Sequence, residues 1–326
     1  MELSKEQMKE LYTTMRRIRR FELEVSKQFK KGVVQGFVHL YLGQEAIATG
    51  VCSNLKNEDY ITSTHRGHGH LIAKGASTKR MMAELCGRET GYCKGKGGSM
   101  HIAAADLGIL GANGIVGGGF AIAAGGGLSA QMRGTDQVTV CFFGEGATNE
   151  GTFHEAMNIA SVWKLPVVFV CENNLYGMFT DSRKMLPIVD VSVRAGAYGM
   201  PGVTAYGNDV IKVREISAEA IDRARAGDGP TLIEFKTYKH HGHFEGDPAR
   251  YRPKEEVEEW LAQDPLPLFE AYLKENGIFT EEEIKDMFDS IDKEVEEALA
   301  YALDSPFPDP ASAVEDVYTD IIEEGR

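Results

Sequence analysis

Hydrophobic positions recur with two different spacings along the chain. Over residues 3–31, apolar residues return every three or four positions, which predicts one long amphipathic helix. Three short apolar runs rich in β-branched and aromatic residues are typical of buried strands: QVTVCFF at 137–143, PVVFVC at 166–171 and TLIEF at 231–235. Stretches with helical spacing separate these runs. The alternation predicts an α/β fold, with a mostly parallel sheet, helices on both faces and right-handed crossovers.

The C-terminal part of the chain has a different pattern. Charged amphipathic helices dominate it, including one over 281–301, and a proline-rich tail at 305–311 precedes one last short helix. The length of 326 residues exceeds the roughly 100–200 residues of an average domain, although one large α/β domain can use most of it. We therefore interpret 1–326 as a single domain with an N-terminal helix at 1–31 and a helical C-terminal extension at 254–326.

Glycine is concentrated between residues 86 and 127. The segments are GYCKGKGGSMH at 91–101, LGANGIVGGGF at 110–120 and AAGGG at 123–127. A flexible linker can have this composition. However, large apolar residues such as Ile109, Leu110 and Val116 are interspersed, and a solvated linker rarely carries so many. We interpret the segment as backbone packed closely against something else, and expect a surface that faces a cofactor or a partner.

Charge and cysteine content narrow the class of protein. The net charge of −14 argues against a nucleic-acid-binding face, which normally carries a clustered basic excess. No run approaches the ~20 apolar residues of a membrane span, and the N-terminal segment lacks an apolar signal region. The five cysteines form neither a CxxC pair nor a zinc spacing, so we expect reduced thiols. These features predict a cytoplasmic protein that binds neither nucleic acid nor membrane.

Polar residues follow two successive predicted strands. The run at 137–143 leads into GEGATN, and the run at 166–171 leads into ENNLYG. Because consecutive parallel strands end at the same sheet edge, the Glu145 carboxylate and the Asn174 amide oxygen should lie close together. Both are hard oxygen donors suited to Mg²⁺ or Ca²⁺. Gly144 and Gly146 would let the backbone approach phosphates, helped by the N-terminus of the following helix. Taken singly, each segment could be a plain turn.

Histidines are grouped unevenly along the chain. Seven of the nine fall in three places: His39, then His65, His68 and His70, then His240, His241 and His243. A lone histidine is more often a surface or core residue than a ligand. The HRGHGH segment could be a metal-binding tract, but Arg66 in its middle fits an anion better. His243 is the best candidate for proton exchange, because it follows a strand end at the ligand edge.

The ordered motifs resemble a known family. They are GFVHLYLGQEA, HRGHGH, GKGGSMH, GANGIVGGG, GEGATNEG, WKLPVVFVCENNLYGM and HGHFEGDP, and they span nearly the whole chain. Together they resemble the α subunits of the first component of 2-oxo-acid and acetoin dehydrogenase complexes, which have the thiamine-diphosphate-binding fold. The family signature is Gly-Asp-Gly followed by Asn-Asn. Here Glu145 replaces the usual Asp, and its extra methylene moves the carboxylate outward by about 1.5 Å unless the backbone or rotamer compensates.

The resemblance implies roles for residues that match the family pattern. The diphosphate of thiamine diphosphate would meet His65, Arg66 and His243, and the active centre would include His39 and His243 as catalytic histidines. The backbone around Gly114 and Val116 would lie against the aminopyrimidine ring. The metal, Mg²⁺, would be ligated by Glu145, Asn174 and the carbonyl of Tyr176. The remaining implied cofactor contacts come from the loop Gly144, Gly146 and Ala147.

The resemblance also implies a reaction and partners. In this family a separate β subunit carries the glutamate that activates the aminopyrimidine, and the chains form an α2β2 heterotetramer. The stretch ITSTHRGHGH looks most like the acetoin-cleaving branch, since pyruvate-type chains commonly carry Tyr where His65 stands. Acetoin would be cleaved to acetaldehyde and an acetyl group passed to a lipoyl-bearing acyltransferase. Pyruvate and branched-chain 2-oxo acids are the alternative substrates. Phe244 leaves no phosphorylation acceptor after the loop histidine.

Two other classes of protein fit the sequence less well. A Rossmann oxidoreductase requires a glycine-rich loop directly after a strand, and the segment 111–119 follows no convincing strand in the sequence pattern. A non-catalytic scaffold or regulatory paralogue is favoured only by the Glu145 replacement. Both are therefore the weaker hypotheses.

Overall fold

A six-stranded parallel sheet forms the centre of the structure. The computed structural model describes residues 3–316. The spatial order of the sheet is β2-β1-β3-β4-β8-β7, and a separate antiparallel pair is formed by β5 and β6. The strands are β1 Tyr60–Thr62, β2 Ile109–Gly111, β3 Thr139–Gly144, β4 Val167–Asn173, β5 Tyr176–Gly177, β6 Thr180–Asp181, β7 Gly202–Tyr206 and β8 Thr231–Lys236. The predicted mostly parallel sheet is confirmed.

Helices cover both faces of this sheet. They are α1 Lys5–Lys30, α2 Glu45–Cys52, α3 His68–Ala73, α4 Thr78–Leu85, α5 Gly118–Arg133, α6 Gly151–Val162, α7 Val210–Arg225, α8 Lys254–Leu261, α9 Pro265–Glu275 and α10 Glu281–Asp304. Because side chains alternate along a strand, Val140 and Phe142 of β3 pack in one core with α2 and α7. Cys141 and Phe143 pack on the opposite face with α5 and α6. The sheet is therefore the middle of three layers.

The two helical ends of the chain pack against each other. Ser4 and Gln7 form a reciprocal capping box that starts α1, close to the predicted residue 3. Leu11 and Met15 of α1 share a core cluster with Phe269 of α9 and Met287 of α10. Pro310–Val314 form a short 3₁₀ turn after the tail. The rest of the short helix expected there lies outside the described residues.

The strands that the pattern did not predict are short and lie in the outer part of the sheet. β1 and β2 have three residues each, and β2 and β7 are the edge strands. Since β2 ends at Gly111, a strand does precede the glycine-rich loop. The sequence argument against a Rossmann loop was wrong on this point, because three residues are too few to give a recognisable apolar run.

Helix α5 accounts for much of the glycine-rich segment. A Cβ atom added to Gly126 would lie 2.7 Å from the Thr139 hydroxyl, and one added to Gly127 would lie 2.6 Å from a Val167 methyl. The glycines therefore let the α5 backbone touch the β3 and β4 side chains. The expected close packing is confirmed, and its partner here is the sheet of the same chain.

Between residues 3 and 316 no helix combines the length and the apolar character needed to cross a membrane. The five cysteines are all free thiols: Cys52, Cys86, Cys93, Cys141 and Cys171. Cys141 and Cys171 are buried in β3 and β4, as their apolar runs predicted.

Candidate functional site

A cavity of about 440 Å³ opens at the carboxyl edge of β3 and β4. Gly144 at the end of β3 pairs with Glu172 near the end of β4, so the two strands deliver their following loops to the same place. Every residue expected to belong to the site lines this cavity: His39, His65, Arg66, Gly114, Val116, Gly144, Glu145, Gly146, Ala147, Asn174, Tyr176 and His243. Residues as far apart in sequence as His39 and His243 are thus brought together.

Two side-chain oxygen atoms of cavity-lining residues are buried without hydrogen bonds. Glu145 is 1% exposed, and its Oε2 accepts a hydrogen bond from the Asn174 backbone N–H at 3.2 Å. Asn174 donates its side-chain amide to Gln44 at 3.0 Å, which fixes the orientation of the amide. Glu145 Oε1 and Asn174 Oδ1 find no partner among the residues that the structure describes. An unpaired buried acceptor costs about 1–3 kcal/mol, and a hard divalent cation would satisfy both oxygens.

A sharp turn after β4 positions Tyr176, whose carbonyl is the third expected oxygen ligand. Leu175 has φ +70°, a left-handed conformation that is uncommon for a large apolar residue. Its backbone N–H donates to the Asn173 side chain at 3.2 Å, and Asn173 in turn donates to Glu234 at 2.6 Å. This anchored turn brings Asn174 and Tyr176 to the same cavity wall.

Lys239 is the main site residue that the sequence analysis missed. Its ammonium group is buried and donates a hydrogen bond to the Tyr176 carbonyl. Burial lowers the pKa of Lys239 well below its usual range, and burial also raises the pKa of Glu145 across the cavity. Lys239 directly precedes the histidines of the KHHGH segment, which follows a strand at the ligand edge of the sheet. This position could have indicated that Lys239 belongs to the site. Glu172 also lines the cavity and was not predicted, although it directly precedes the Asn pair in the ENN segment.

Three of the cavity-lining histidines lie close to one another. The ring centroids of His39 and His65 are 4.7 Å apart, those of His39 and His243 are 5.0 Å apart, and those of His65 and His243 are 5.4 Å apart. Arg66 holds two backbone carbonyls, donating to Leu40 at 2.6 Å and to His243 at 2.9 Å. The loop that carries His243 is therefore tied to the segment that carries His39.

Burial and the Arg66 charge keep these imidazoles neutral. Burial first, and the neighbouring guanidinium second, lower the pKa of His65 to about 2, that of His39 to about 3 and that of His243 to about 4. Proton exchange by His243 near neutral pH was the basis for its catalytic assignment. That exchange requires a negative charge beside the ring, and a diphosphate group would provide one.

His68 and His70 turn away from the cavity. His68 bonds Glu22 at 3.1 Å and the Ser99 hydroxyl at 3.0 Å. His70 bonds the Ser63 hydroxyl at 2.8 Å and Glu172 at 3.1 Å. Both rings are fully buried. The histidines of HRGHGH therefore do not converge on one point, and the hypothesis of a metal tract within that segment is wrong.

The segment directly after β3 differs from the expected helix start. Glu145–Asn149 form a 3₁₀ turn, closed by the Thr148 hydroxyl donating to the Glu145 carbonyl at 2.7 Å, and α6 begins only at Gly151. The amides nearest the cavity thus belong to this turn. On the opposite rim, Ile115 and Val116 are 72% and 49% exposed, and the Gly114 N–H approaches His101 Nε2 at 3.4 Å.

Comparison with known proteins identifies the class. Residues 13–311 match the family described as dehydrogenase E1 component. The chain is 50% identical over 318 residues to the α subunit of an acetoin:2,6-dichlorophenolindophenol oxidoreductase from Bacillus subtilis, covering 97% of this chain and 95% of that protein. The protein of the same description from Cupriavidus necator is 45% identical, with 98% and 95% covered. The pyruvate dehydrogenase E1 component subunit α of Rhizobium meliloti is 40% identical, with 98% and 91% covered. The chain therefore belongs to the dehydrogenase E1 component family of thiamine-diphosphate-dependent oxidoreductases, as an α subunit that works with a β subunit.

Proposed function

We propose that this chain supplies the diphosphate- and metal-binding half of an acetoin-cleaving dehydrogenase. The observation that carries the metal assignment is the pair of buried acceptors without partners, Glu145 Oε1 and Asn174 Oδ1. Buried polar atoms in folded proteins are nearly always satisfied, so two at one sheet edge point to an ion that bonds both. Mg²⁺ fits this donor set, because it prefers one or two protein carboxylate groups with phosphate oxygens and water completing its shell.

The cavity residues divide into separate tasks. Glu145, Asn174 and the Tyr176 carbonyl would hold the metal, with Gly144, Gly146 and Ala147 giving the diphosphate close access to backbone. Arg66 would bind the diphosphate charge, and His65 and His243 would each donate one hydrogen bond to it. Gly114 and Val116 would lie against the aminopyrimidine ring. His39 would act in the active centre beside His65 and His243.

Thiamine diphosphate supplies an electron sink that takes up the electron pair when a carbon–carbon bond next to a carbonyl carbon breaks. The chain's own residues orient this group, neutralise its phosphates and exclude water from the cavity. His243 would hold or release a proton at its imidazole once the diphosphate charge raises the pKa of that ring.

Acetoin is the proposed substrate. Two relatives whose descriptions name acetoin are 50% and 45% identical, whereas those described as pyruvate dehydrogenase subunits reach 40%. A substrate with a carboxylate also needs a cationic group in the protein that binds this carboxylate. Arg66 and Lys239 are the lysine or arginine side chains among the described residues that line the cavity. Both lie where the diphosphate and the metal would bind, so neither is left to bind a substrate carboxylate. This favours a neutral ketone over pyruvate, which stays the alternative.

The proposed assembly is an α2β2 heterotetramer that passes the acetyl group to a lipoyl-bearing acyltransferase and leaves acetaldehyde. The exposed apolar residues Ile115 and Val116 at the cavity rim support a partner surface there, where the β subunit would complete the site. The free thiols fit the reducing environment of the cytoplasm.

The test is an artificial-electron-acceptor assay on co-expressed α and β chains with thiamine diphosphate and Mg²⁺. We expect turnover of acetoin well above that of pyruvate, and no turnover by this chain alone. Rapid oxidation of pyruvate with none of acetoin would overturn the substrate assignment and leave the cofactor assignment intact. Activity from the isolated chain would overturn the requirement for a β subunit.

A further inference from the structure

The three cavity histidines have the arrangement of a nitrogen-ligand metal site. One ring nitrogen from each of His39, His65 and His243 lies within 4.8 Å of the other two. His39 is 6% exposed, and its Nδ1 and that of His243 are buried with no hydrogen-bond partner within residues 3–316. Three imidazoles from three separate loops therefore converge, and two of them carry a buried ring nitrogen that no described residue hydrogen-bonds.

The spacing is close to what a tetrahedral ion requires. Zinc binds imidazole nitrogen at about 2.0–2.1 Å, so its ligand nitrogens lie about 3.3–3.4 Å apart. Each pair here has to approach by at most about 1.5 Å, which small side-chain rotations provide without a change of rotamer. Three protein ligands would leave the fourth position of a tetrahedral ion to a small ligand, as in catalytic three-histidine zinc sites.

The chemistry of the donors separates this cluster from the oxygen site. Neutral imidazole is a ligand for Zn²⁺, Co²⁺, Ni²⁺ and Cu²⁺, whereas carboxylate and amide oxygens suit Mg²⁺ and Ca²⁺. The depressed pKa of each ring keeps all three imidazoles unprotonated at neutral pH, so no proton has to leave before the ion binds. The positive charge of Arg66 opposes a bare cation, so hydroxide or chloride is needed as the fourth ligand.

We propose that His39, His65 and His243 form a three-histidine site for a borderline divalent transition metal of the Zn²⁺ and Co²⁺ class, and that its occupation excludes the diphosphate cofactor. The second half rests on the proposed function, because His65 and His243 are the residues assigned there to the diphosphate. The chain would then bind two classes of metal ion in one cavity, with opposite effects: Mg²⁺ with the cofactor, and Zn²⁺ against it.

The test uses the α–β complex freed of cofactor and titrated with Co²⁺. We expect one Co²⁺ per α chain and the intense visible absorption of tetrahedral cobalt with nitrogen ligands. His39→Gln should weaken Co²⁺ binding by roughly 100-fold, as removal of one of three ligands requires. His154→Gln is the matched control, because His154 on α6 hydrogen-bonds Tyr198 and does not line the cavity. Equal Co²⁺ affinity in the two variants and the wild-type complex would overturn the site.

A measurement on the wild-type complex tests the metal site without relying on variants that could misfold. X-ray absorption at the zinc edge, recorded on the Zn²⁺-loaded wild-type complex, should count three imidazole ligands. A shell of oxygen ligands alone would overturn the proposal whatever the variants do.

Failure of this site and failure of the proposed function give different results. Glu145→Gln should leave Co²⁺ binding unchanged while it weakens Mg²⁺-dependent binding of thiamine diphosphate. Adding thiamine diphosphate with Mg²⁺ to the Co²⁺-loaded wild-type complex should release Co²⁺ as the cofactor binds. Simultaneous binding of both would overturn the exclusion. A complex that binds Co²⁺ but never thiamine diphosphate would refute the proposed function and leave the three-histidine site standing.

Discussion

Lys239 donates a hydrogen bond from its buried ammonium group to the Tyr176 carbonyl, the oxygen assigned to the metal. The same ammonium group interacts electrostatically with Glu145, a second proposed ligand. A divalent metal ligated by the same carbonyl oxygen would repel the ammonium group at short range. We therefore expect Lys239 to turn aside when Mg²⁺ binds and to contact the diphosphate.

The first prediction concerns Lys239→Met, which keeps the apolar stem and removes the charge. We expect tighter binding of Mg²⁺ alone, since the competing cation is gone. Binding of thiamine diphosphate at saturating Mg²⁺ should become roughly 10- to 150-fold weaker, because a charge-assisted hydrogen bond contributes about 1.5–3 kcal/mol. Calorimetry on the α–β complex measures both affinities.

Lys74→Met is the control for this experiment. Lys74 is also a buried lysine that donates to backbone carbonyls, those of Lys56 and Asn57, and it is not among the residues that line the cavity. Its replacement should leave both affinities unchanged. Opposite shifts of the two affinities in Lys239→Met, with no shift in the control, would show that the charge acts at the position of Lys239. Unchanged affinities in Lys239→Met would exclude a role for this charge in binding either ion.

The second prediction concerns Glu145. Glu145→Gln preserves size and burial but replaces the anionic oxygens, so Mg²⁺-dependent binding of thiamine diphosphate should weaken by roughly 100-fold or more. Glu145→Asp should be milder, because it keeps the charge and shortens the side chain by one methylene. Calorimetry on the α–β complex ranks the three proteins. Unchanged affinity in Glu145→Gln would remove this carboxylate from the metal site.

The sequence was sufficient for the centre of the fold and for the outline of the site. β3 and β4 are long, buried on both faces and rich in β-branched and aromatic residues, so their apolar runs were recognisable. Their adjacency in the sheet then brought Glu145 and Asn174 together by geometry. The role of Lys239 was not predictable in this way, because its contact with Tyr176 depends on how two distant loops close over the cavity.

Tertiary contacts also determine structure where the local helix propensity of the sequence points the other way. Helix α5 contains Gly125, Gly126 and Gly127 in succession, a composition that disfavours a helix. The helix forms because its backbone packs against β3 and β4, which no local pattern reveals. Likewise, the sequence left open whether His68 and His70 belong to a metal-binding tract, and only the buried partners Glu22 and Glu172 identify them as core residues.

The third prediction concerns pH and stability. A histidine in an unfolded chain has a pKa near 6.5. Burial, followed by the charge of Arg66, lowers the pKa of His39 to about 3 and that of His243 to about 4 in the folded chain. The unfolded chain therefore binds more protons below about pH 6.5. The stability held by these neutral rings is complete above that pH and is lost progressively as the pH falls toward 4 and 3.

His39→Gln removes one of these groups. The free energy of unfolding, measured with urea between pH 7 and 5, should depend less on pH in this variant than in the wild-type chain. The change in the free energy of unfolding with pH should decrease by the equivalent of up to one bound proton, which is about 1.4 kcal/mol per pH unit. Carboxylates titrate equally in both proteins and cancel in the comparison. Identical slopes would mean that His39 titrates in the folded chain as it does when unfolded.

The fourth prediction tests the close packing of α5 on the sheet with two adjacent substitutions. In Gly127→Ala the new methyl group would lie 2.6 Å from a Val167 methyl, and Val167 is a fully buried β-branched residue that cannot turn away. We expect a loss of about 1–3 kcal/mol in the free energy of unfolding. In Gly125→Ala the methyl group meets no atom of the described chain within 4 Å, so the better helix propensity of alanine should add about 0.5–1 kcal/mol. Urea unfolding followed by the fluorescence of Trp163 and Trp260 measures both variants. Both substitutions add the same methyl group to the same helix, so opposite signs would arise from the contacts that the methyl group at residue 127 makes with Val167 and the preceding Leu165. Stabilisation by both substitutions would show that α5 does not need glycine to reach the sheet.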